Sequence, residues 1–234
     1  MTVILAIGGT DSSGGAGLTR DTAMAAELGV AVRPVVTAVT VQTNAAVLGV
    51  HPCPPEAVAD QVRAALATAP LPEAVKIGML GSAAVAEAVE TALPAGLPIV
   101  LDPVLKATSG GTLMDAVGFG PLLSRAALVT PNLAELEVLA RTDGPLERQA
   151  AALLAQGVQA VLVKGGHGSG TESTDLLCTP DGAVIPFAAQ RLPVSKRGTG
   201  CSLATAVACH LVQGAALPDA CSKAKEAVQR WLGR

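Results

Sequence analysis

Short apolar runs recur along this chain, and most of them are followed by a helical pattern. The runs lie at 3–7, 35–41, 75–77, 99–101, 128–129 and 161–163. The helical patterns lie at 18–28, 83–93 and 133–140, with a further helix opened by Pro54-Pro55 in which Val58, Val62 and Leu66 recur at four-residue spacing. Strands joined through helices run parallel, and a parallel sheet must be covered on both faces. The expectation is an α/β fold: a mostly parallel central sheet with helices on both faces. Only late does the rhythm change. Segments 175–178 and 183–187 flank Pro180-Asp181-Gly182 and predict a small β-hairpin, before two closing helices at 202–213 and 219–232. No interior repeat, low-complexity tract or linker interrupts 1–234, which reads as a single domain.

Sheets of this kind bind ligands outside the carboxyl ends of their strands. Gly8 and Gly9, Gln42, Gly78 and Met79, Asp102, Asn132 and Lys164 all fall just past such ends. Each also has a plainer explanation. Asn132 with Glu135 three residues on is a helix-capping pair, Asp102 before Pro103 can start a turn, Lys164 can be an exposed strand end, and Met79 can be core packing. Their recurrence at corresponding positions points to one crevice instead.

Arg197-Gly198-Thr199-Gly200-Cys201-Ser202-Leu203 supplies what that crevice could hold. A glycine-lined turn entering a helix leaves backbone N–H groups unpaired at the positive end of the helix dipole, which makes an anion site. Cys201 falls in the first turn, where the same field is expected to lower its pKa toward a thiolate. The alternative is a glycine-rich turn with a buried cysteine. The earlier loop, Gly9 to Gly14, has a GxxxxG spacing, but Gly15-Ala16 stands where a nucleotide P-loop needs Lys-Ser/Thr, and the GxGxxG of a dinucleotide fold is absent.

Composition excludes several classes. Charged residues are 15% of the chain, the net charge is −3, and there are no Tyr, two Phe and one Trp, so nothing marks a nucleic-acid surface. The least charged stretches, 34–55 and 198–218, are broken by Pro, Gly, Gln, Asn or Thr and do not read as membrane spans. Met1-Thr2-Val3-Ile4 begins directly as a strand, without a basic leader, and the five cysteines form no CxxC; both features fit a cytoplasmic protein. His51, His167 and His210 lack metal-ligand spacing and read as structural or solvated.

The stretches GGTDSSGGAGLTRD, TAVTVQTN, KIGML, VLDPV, TPNLAE, VKGGH and GTGCS occur in order between residues 8 and 202. Together they resemble the ribokinase-like superfamily, and within it the hydroxymethylpyrimidine/phosphomethylpyrimidine kinases of thiamin biosynthesis; GTGC in place of the commoner GTGD is characteristic of that branch. The resemblance implies ATP and Mg²⁺ as cofactors and 4-amino-5-hydroxymethyl-2-methylpyrimidine as substrate, followed by its monophosphate. It implies an anion hole at Gly198, Thr199, Gly200 and Cys201, with Cys201 as the base. Asp21 and Gln42 would hydrogen-bond the aminopyrimidine, and Gly9, Met79 and Val104 would line its pocket. Asp102, Asn132, Lys164 and Thr199 would meet ATP, and Asp102 and Glu135 would hold Mg²⁺, partly through water. A homodimer is also implied.

The sequence departs from the family pattern in four places. Thr108 stands where the family has a loop lysine, the nearest being Lys106, and the second phosphorylation turns on that difference. Arg197 replaces a common His, Gln42-Thr43-Asn44 replaces Q-N-T, and with the sequence ending at Arg234, short of the family's glycine-containing tail, part of the nucleotide cover is expected to be missing. Two other functions suit the same residues: a pyridoxal/pyridoxine kinase, and a pyrimidine-binding sensor without turnover.

Overall fold

The computed structural model describes residues 1–105, 116–166 and 170–234. Lys106, Thr108 and His167 lie outside the described residues. In chain order the elements are β1 Val3–Asp11, α1 Gly17–Glu27, β2 Ala31–Gln42, β3 Val47–Pro52, α2 Pro55–Leu66, β4 Ala74–Ile77, α3 Ala83–Ala92 and β5 Ile99–Leu101. A 3-10 turn, Ala116–Phe119, leads into α4 Gly120–Leu123, then β6 Leu128–Val129, α5 Leu133–Ala140, α6 Leu146–Leu154 and β7 Val161–Val163. The antiparallel pair β8 Glu172–Cys178 and β9 Val184–Gln190 precedes α7 Thr199–Val212 and α8 Leu217–Leu232.

All nine strands join one sheet in the order β3-β2-β1-β4-β5-β6-β7-β8-β9. The block from β2 through β7 is parallel, while β3, β8 and β9 close the two sides antiparallel. The chain therefore starts in the middle of the sheet, and the strand order reverses beside β1.

Side-chain alternation explains why short strands suffice. Leu5 and Ile7, Ile99 and Leu101, and Val161 and Val163 face a core shared with α2 to α6. Ile4, Val100 and Leu162 face the other way, into a core with α1, α7 and α8. Every strand residue named is at most 1% exposed, as a sheet covered on both sides requires. The expected layered α/β fold is the one observed.

Three features differ from expectation. β1 does not stop at Gly8 but runs through Gly9 to Asp11, with a register shift between Gly8 and Thr10 against β2; glycines tolerate the irregularity that would end an ordinary strand. β3 is an edge strand interrupted by Gly49, with little apolar alternation to announce it. α6 carries Leu146, Ala150 and Leu153 at helical spacing behind Pro145, but Gly144 and Pro145 also give its start the look of a loop.

Candidate active site

The helix α7 is 14 residues long, and no side chain caps its N-terminus. Its cap residue, Gly198, is left-handed at φ 78°. A Cβ there would strike the Gly15 carbonyl oxygen and lie 2.9 Å from Arg20 Cγ, so glycine is required both by conformation and by space. A Cβ on Gly200 would lie 3.2 Å from Lys164 Nζ and 3.5 Å from Asp102 Oδ2. The uncapped helix end thus opens directly onto a lysine and a carboxylate from other strands. Arg197 braces this turn: it pairs with Asp11 at 3.0 Å and donates to Ser13 Oγ at 2.7 Å and to the Thr43 carbonyl at 3.0 Å. On the outer side, the Trp231 ring lies between Arg20, at 4.6 Å, and Lys196, at 5.3 Å, tying α8 to the segment that enters α7.

A cavity of about 490 Å³ lies in front of that helix end, and the strand-end candidates from the sequence line it, Gly78 excepted, together with Asp21, Val104, Glu135 and Gly198 to Cys201. Gln42 closes β2, Met79 follows β4, Asp102 and Val104 follow β5, Asn132 follows β6 and Lys164 follows β7. Gly9 lies inside β1, and a Cβ there would be 3.0 Å from Met79 Sδ, so that glycine lets the methionine form the floor. The Gln42 carbonyl and amide are fixed by Ser12 Oγ at 2.8 Å each, and its Oε1 accepts from Thr40 Oγ1 at 3.2 Å.

Asn132 and Glu135 form the full capping box of α5: Asn132 Oδ1 accepts from the Glu135 amide at 2.9 Å and Glu135 Oε2 from the Asn132 amide at 2.8 Å. They cap α5 and also line the cavity. Lys164 reaches Asp102 Oδ1 at 2.7 Å and Glu135 Oε2 at 3.6 Å, on a backbone bridged to Asn132. Burial lowers the Lys164 pKa, but the charges of Asp102 and Glu135 outweigh it and leave the ammonium raised above its ordinary value. Glu135 is shifted upward by burial and by Asp102, against the opposing pull of Lys164 and the Asn132 amide. Among the described residues no cluster of three or more His, Cys, Asp or Glu could hold a metal. Two carboxylates are enough where phosphates complete the shell, which is how Mg²⁺ is commonly bound.

One expectation, the low pKa of Cys201, needs correction, and Asp21 has partners the sequence did not show. Asp21, expected to accept from the substrate, is 0% exposed, and both its oxygens are engaged: Lys76 Nζ donates at 3.0 and 2.8 Å and Thr205 Oγ1 at 2.9 Å. Burial pushes the Asp21 carboxyl up against the opposing pull of Lys76, while Lys76 remains an ammonium because the charge of Asp21, with that of Asp102, overcomes its own burial. Asp21 therefore holds Lys76 in place in the cavity lining. Cys201, expected as a low-pKa thiol, is pushed up to about 11. Burial is the main cause, and the nearby charges of Asp21 and Asp102 add to it; Lys76 and the Gly17 amide pull the other way without prevailing. The resting thiol is neutral near pH 7.

Lys76 is the residue whose role sequence reasoning missed. It was legible in one respect: β4 reads Ala74-Val75-Lys76-Ile77, every position is buried, and a lysine there demands a carboxylate partner. Period two sends Lys76 away from Val75 and Ile77, to the face where α1 and α7 pack.

The model of one family, phosphomethylpyrimidine kinase, matches residues 11–233. A hydroxymethylpyrimidine/phosphomethylpyrimidine kinase of Rhizobium meliloti is 40% identical over 234 residues, covering 95% of this chain and 87% of the relative. A phosphomethylpyrimidine kinase structure from Clostridium difficile superposes with TM-score 0.82 at 28% identity, covering 99% of each chain. The pyridoxal kinase of Staphylococcus aureus in complex with AMP-PCP and pyridoxal superposes with TM-score 0.86 at 26% identity, covering 99% of this chain and 88% of that one. With the match running from the end of β1 to the last turn of α8, this chain belongs to the phosphomethylpyrimidine kinase family.

Proposed function

We propose that this kinase transfers the γ-phosphoryl group of ATP to the hydroxymethyl oxygen of 4-amino-5-hydroxymethyl-2-methylpyrimidine and then to the resulting monophosphate, a step of thiamin biosynthesis in the cytoplasm. The observation that carries the reading is the uncapped N-terminus of α7, which opens between Lys164 and Asp102 in the same cavity that Gln42, Gly9 and Met79 line. Phosphoryl transfer depends mainly on positioning and charge neutralisation. In this assignment the amides of Gly198 to Cys201 receive the transferring phosphoryl oxygens, and Lys164 neutralises charge on the nucleotide phosphates. Gln42, through its side-chain amide, reads the polar edge of the pyrimidine ring, while Asp21 acts through Lys76.

Asp102 and Glu135 are the residues that would hold Mg²⁺. Their hard carboxylate oxygens suit it, and they already flank one cation, the Lys164 ammonium. When bound, the metal supplies charge neutralisation across the phosphates. To act as the base Cys201, neutral at rest, must first release its own proton to solvent; as the thiolate it then takes the alcohol proton late, as the bond to phosphorus forms, and a loose transition state makes little earlier demand for it. A homodimer belongs to the same proposal, with Val39, Val41 and Leu48 exposed by 48%, 44% and 68% along the β2–β3 edge as its apolar surface.

The test is coupled ATP consumption with the hydroxymethylpyrimidine, its monophosphate and pyridoxal. Turnover on both pyrimidines is expected. Preference for pyridoxal would make the protein a pyridoxal kinase, and binding without turnover on any of the three would make it a sensor.

A further inference from the structure

Lys164 occupies an unusual place for a residue whose task is to meet phosphate. Its ammonium is turned onto Asp102, 2.7 Å away, with Glu135 at 3.6 Å. Asp102 is 2% exposed and the Lys164 side chain 13%, so the pair is shielded from water and little screened. The same Nζ lies where a Cβ on Gly200 would come within 3.2 Å, beside the anion hole. One cation is therefore within reach of both the carboxylates and the place where phosphate oxygens arrive.

We infer that Lys164 is an internal counter-ion that keeps the Asp102–Glu135 pair closed to divalent metal until a nucleotide phosphate draws its ammonium away. This rests on the kinase reading and adds an order of events to it. Without nucleotide, a divalent ion approaching the two carboxylates meets a fixed ammonium at hydrogen-bond distance, and repulsion at such a range in a shielded site is large. When phosphate enters at the end of α7, the ammonium exchanges a carboxylate oxygen for phosphate oxygens by a short side-chain movement. The carboxylates then become available, and the same event brings the additional oxygen ligands that a hard cation needs. No covalent bond changes. The consequence is that metal joins the protein with the nucleotide, and not before it.

The test uses Mn²⁺, an oxygen-preferring ion with an electron paramagnetic signal, titrated into nucleotide-free protein while the free-ion signal is followed. The wild type should take up little Mn²⁺. Lys164→Met, which removes the charge and keeps the length, should bind at least about tenfold more tightly, and Asp102→Asn in that background should abolish the gain. No tighter binding in Lys164→Met, or a gain that survives Asp102→Asn, overturns the inference. Should Lys164→Met fail to fold, Lys164→Gln makes the same comparison. In the wild type itself, Mn²⁺ uptake before nucleotide that is lost in Asp102→Asn also overturns it. ATP turnover on the pyrimidine, measured with the same wild-type preparation, separates the two readings: absent turnover removes the function, whereas an unaltered Mn²⁺ affinity in Lys164→Met removes only the exchange.

Discussion

The buried pair Lys76–Asp21 permits a quantitative prediction. Lys76 is 1% exposed and Asp21 0%, and three hydrogen bonds of 2.8 to 3.0 Å hold them with Thr205. Lys76→Met leaves a buried carboxylate with only the Thr205 hydroxyl, and Asp21→Leu leaves a buried ammonium with no partner. Breaking one side of such a pair costs about 3–5 kcal/mol, because the surviving charge has lost water and counter-charge together. In a chain of this size each kcal/mol lowers Tm by roughly 2–4 °C, so either variant should melt about 6–20 °C below wild type. The double variant Lys76→Met/Asp21→Leu removes both charges. Thr205 can then turn its hydroxyl to the carbonyl four residues back in α7, and stability should return to within about 2 kcal/mol of wild type. Urea unfolding of the four proteins, with m-values compared, gives the coupling energy. Losses that simply add in the double variant would refute the argument, since they would mean that each side chain contributes through packing and not through the other's charge.

The Cys201 thiol, raised to about 11 from 9.0, should be alkylated by iodoacetamide with a midpoint near pH 11, followed at that peptide by mass spectrometry; a midpoint at or below 9.0 contradicts the buried, acid-flanked environment. Because the folded protein holds that proton more firmly than the unfolded chain, the group should also make stability fall as pH rises from 9.0 toward about 11, an effect absent in Cys201→Ala. Gly198→Ala should lose about 1–3 kcal/mol from its left-handed backbone alone, and kcat should fall further because the side chain meets the Gly15 carbonyl; wild-type turnover would mean that the turn does not shape the anion hole. Gln42→Leu should weaken pyrimidine binding and leave ATP binding nearly unchanged, and calorimetry showing equal losses for both ligands would make Gln42 structural.

What was legible in the sequence was whatever short-range chemistry enforces. The central parallel strands announced themselves because both faces are buried and nearly every position, Lys76 apart, is apolar, and the polar residues that end them had to gather on one rim. The glycines of the α7 turn were equally readable, since few other residues fit. Long-range electrostatics was not. Asp21 and Thr205 lie 184 residues apart, and nothing local says that the carboxylate is held by Thr205 and Lys76. Cys201 misled for the same reason: the helix-end field is visible in the sequence, but the Asp21 and Asp102 charges, and the depth that outweighs it, come from other elements. β3 went unseen because an edge strand with a glycine in it needs little hydrophobic pattern.

The arrangement of the two cores has a consequence for synthesis. The face of the sheet carrying Ile4, Val100, Leu128 and Leu162 is covered by α1 and by α7 and α8, which leave the ribosome after all nine strands. A nascent chain that has emerged as far as β9 has its opposite face clothed by α2 to α6, while much of this one stays bare. That intermediate is a sticky, half-covered sheet, the kind of species on which chaperones act. It also lacks the glycine turn and helix end proposed as the anion hole, so covering the second face and completing the proposed site are one event. On the proposed reading, a premature stop before α7 should yield aggregate and not a weak enzyme.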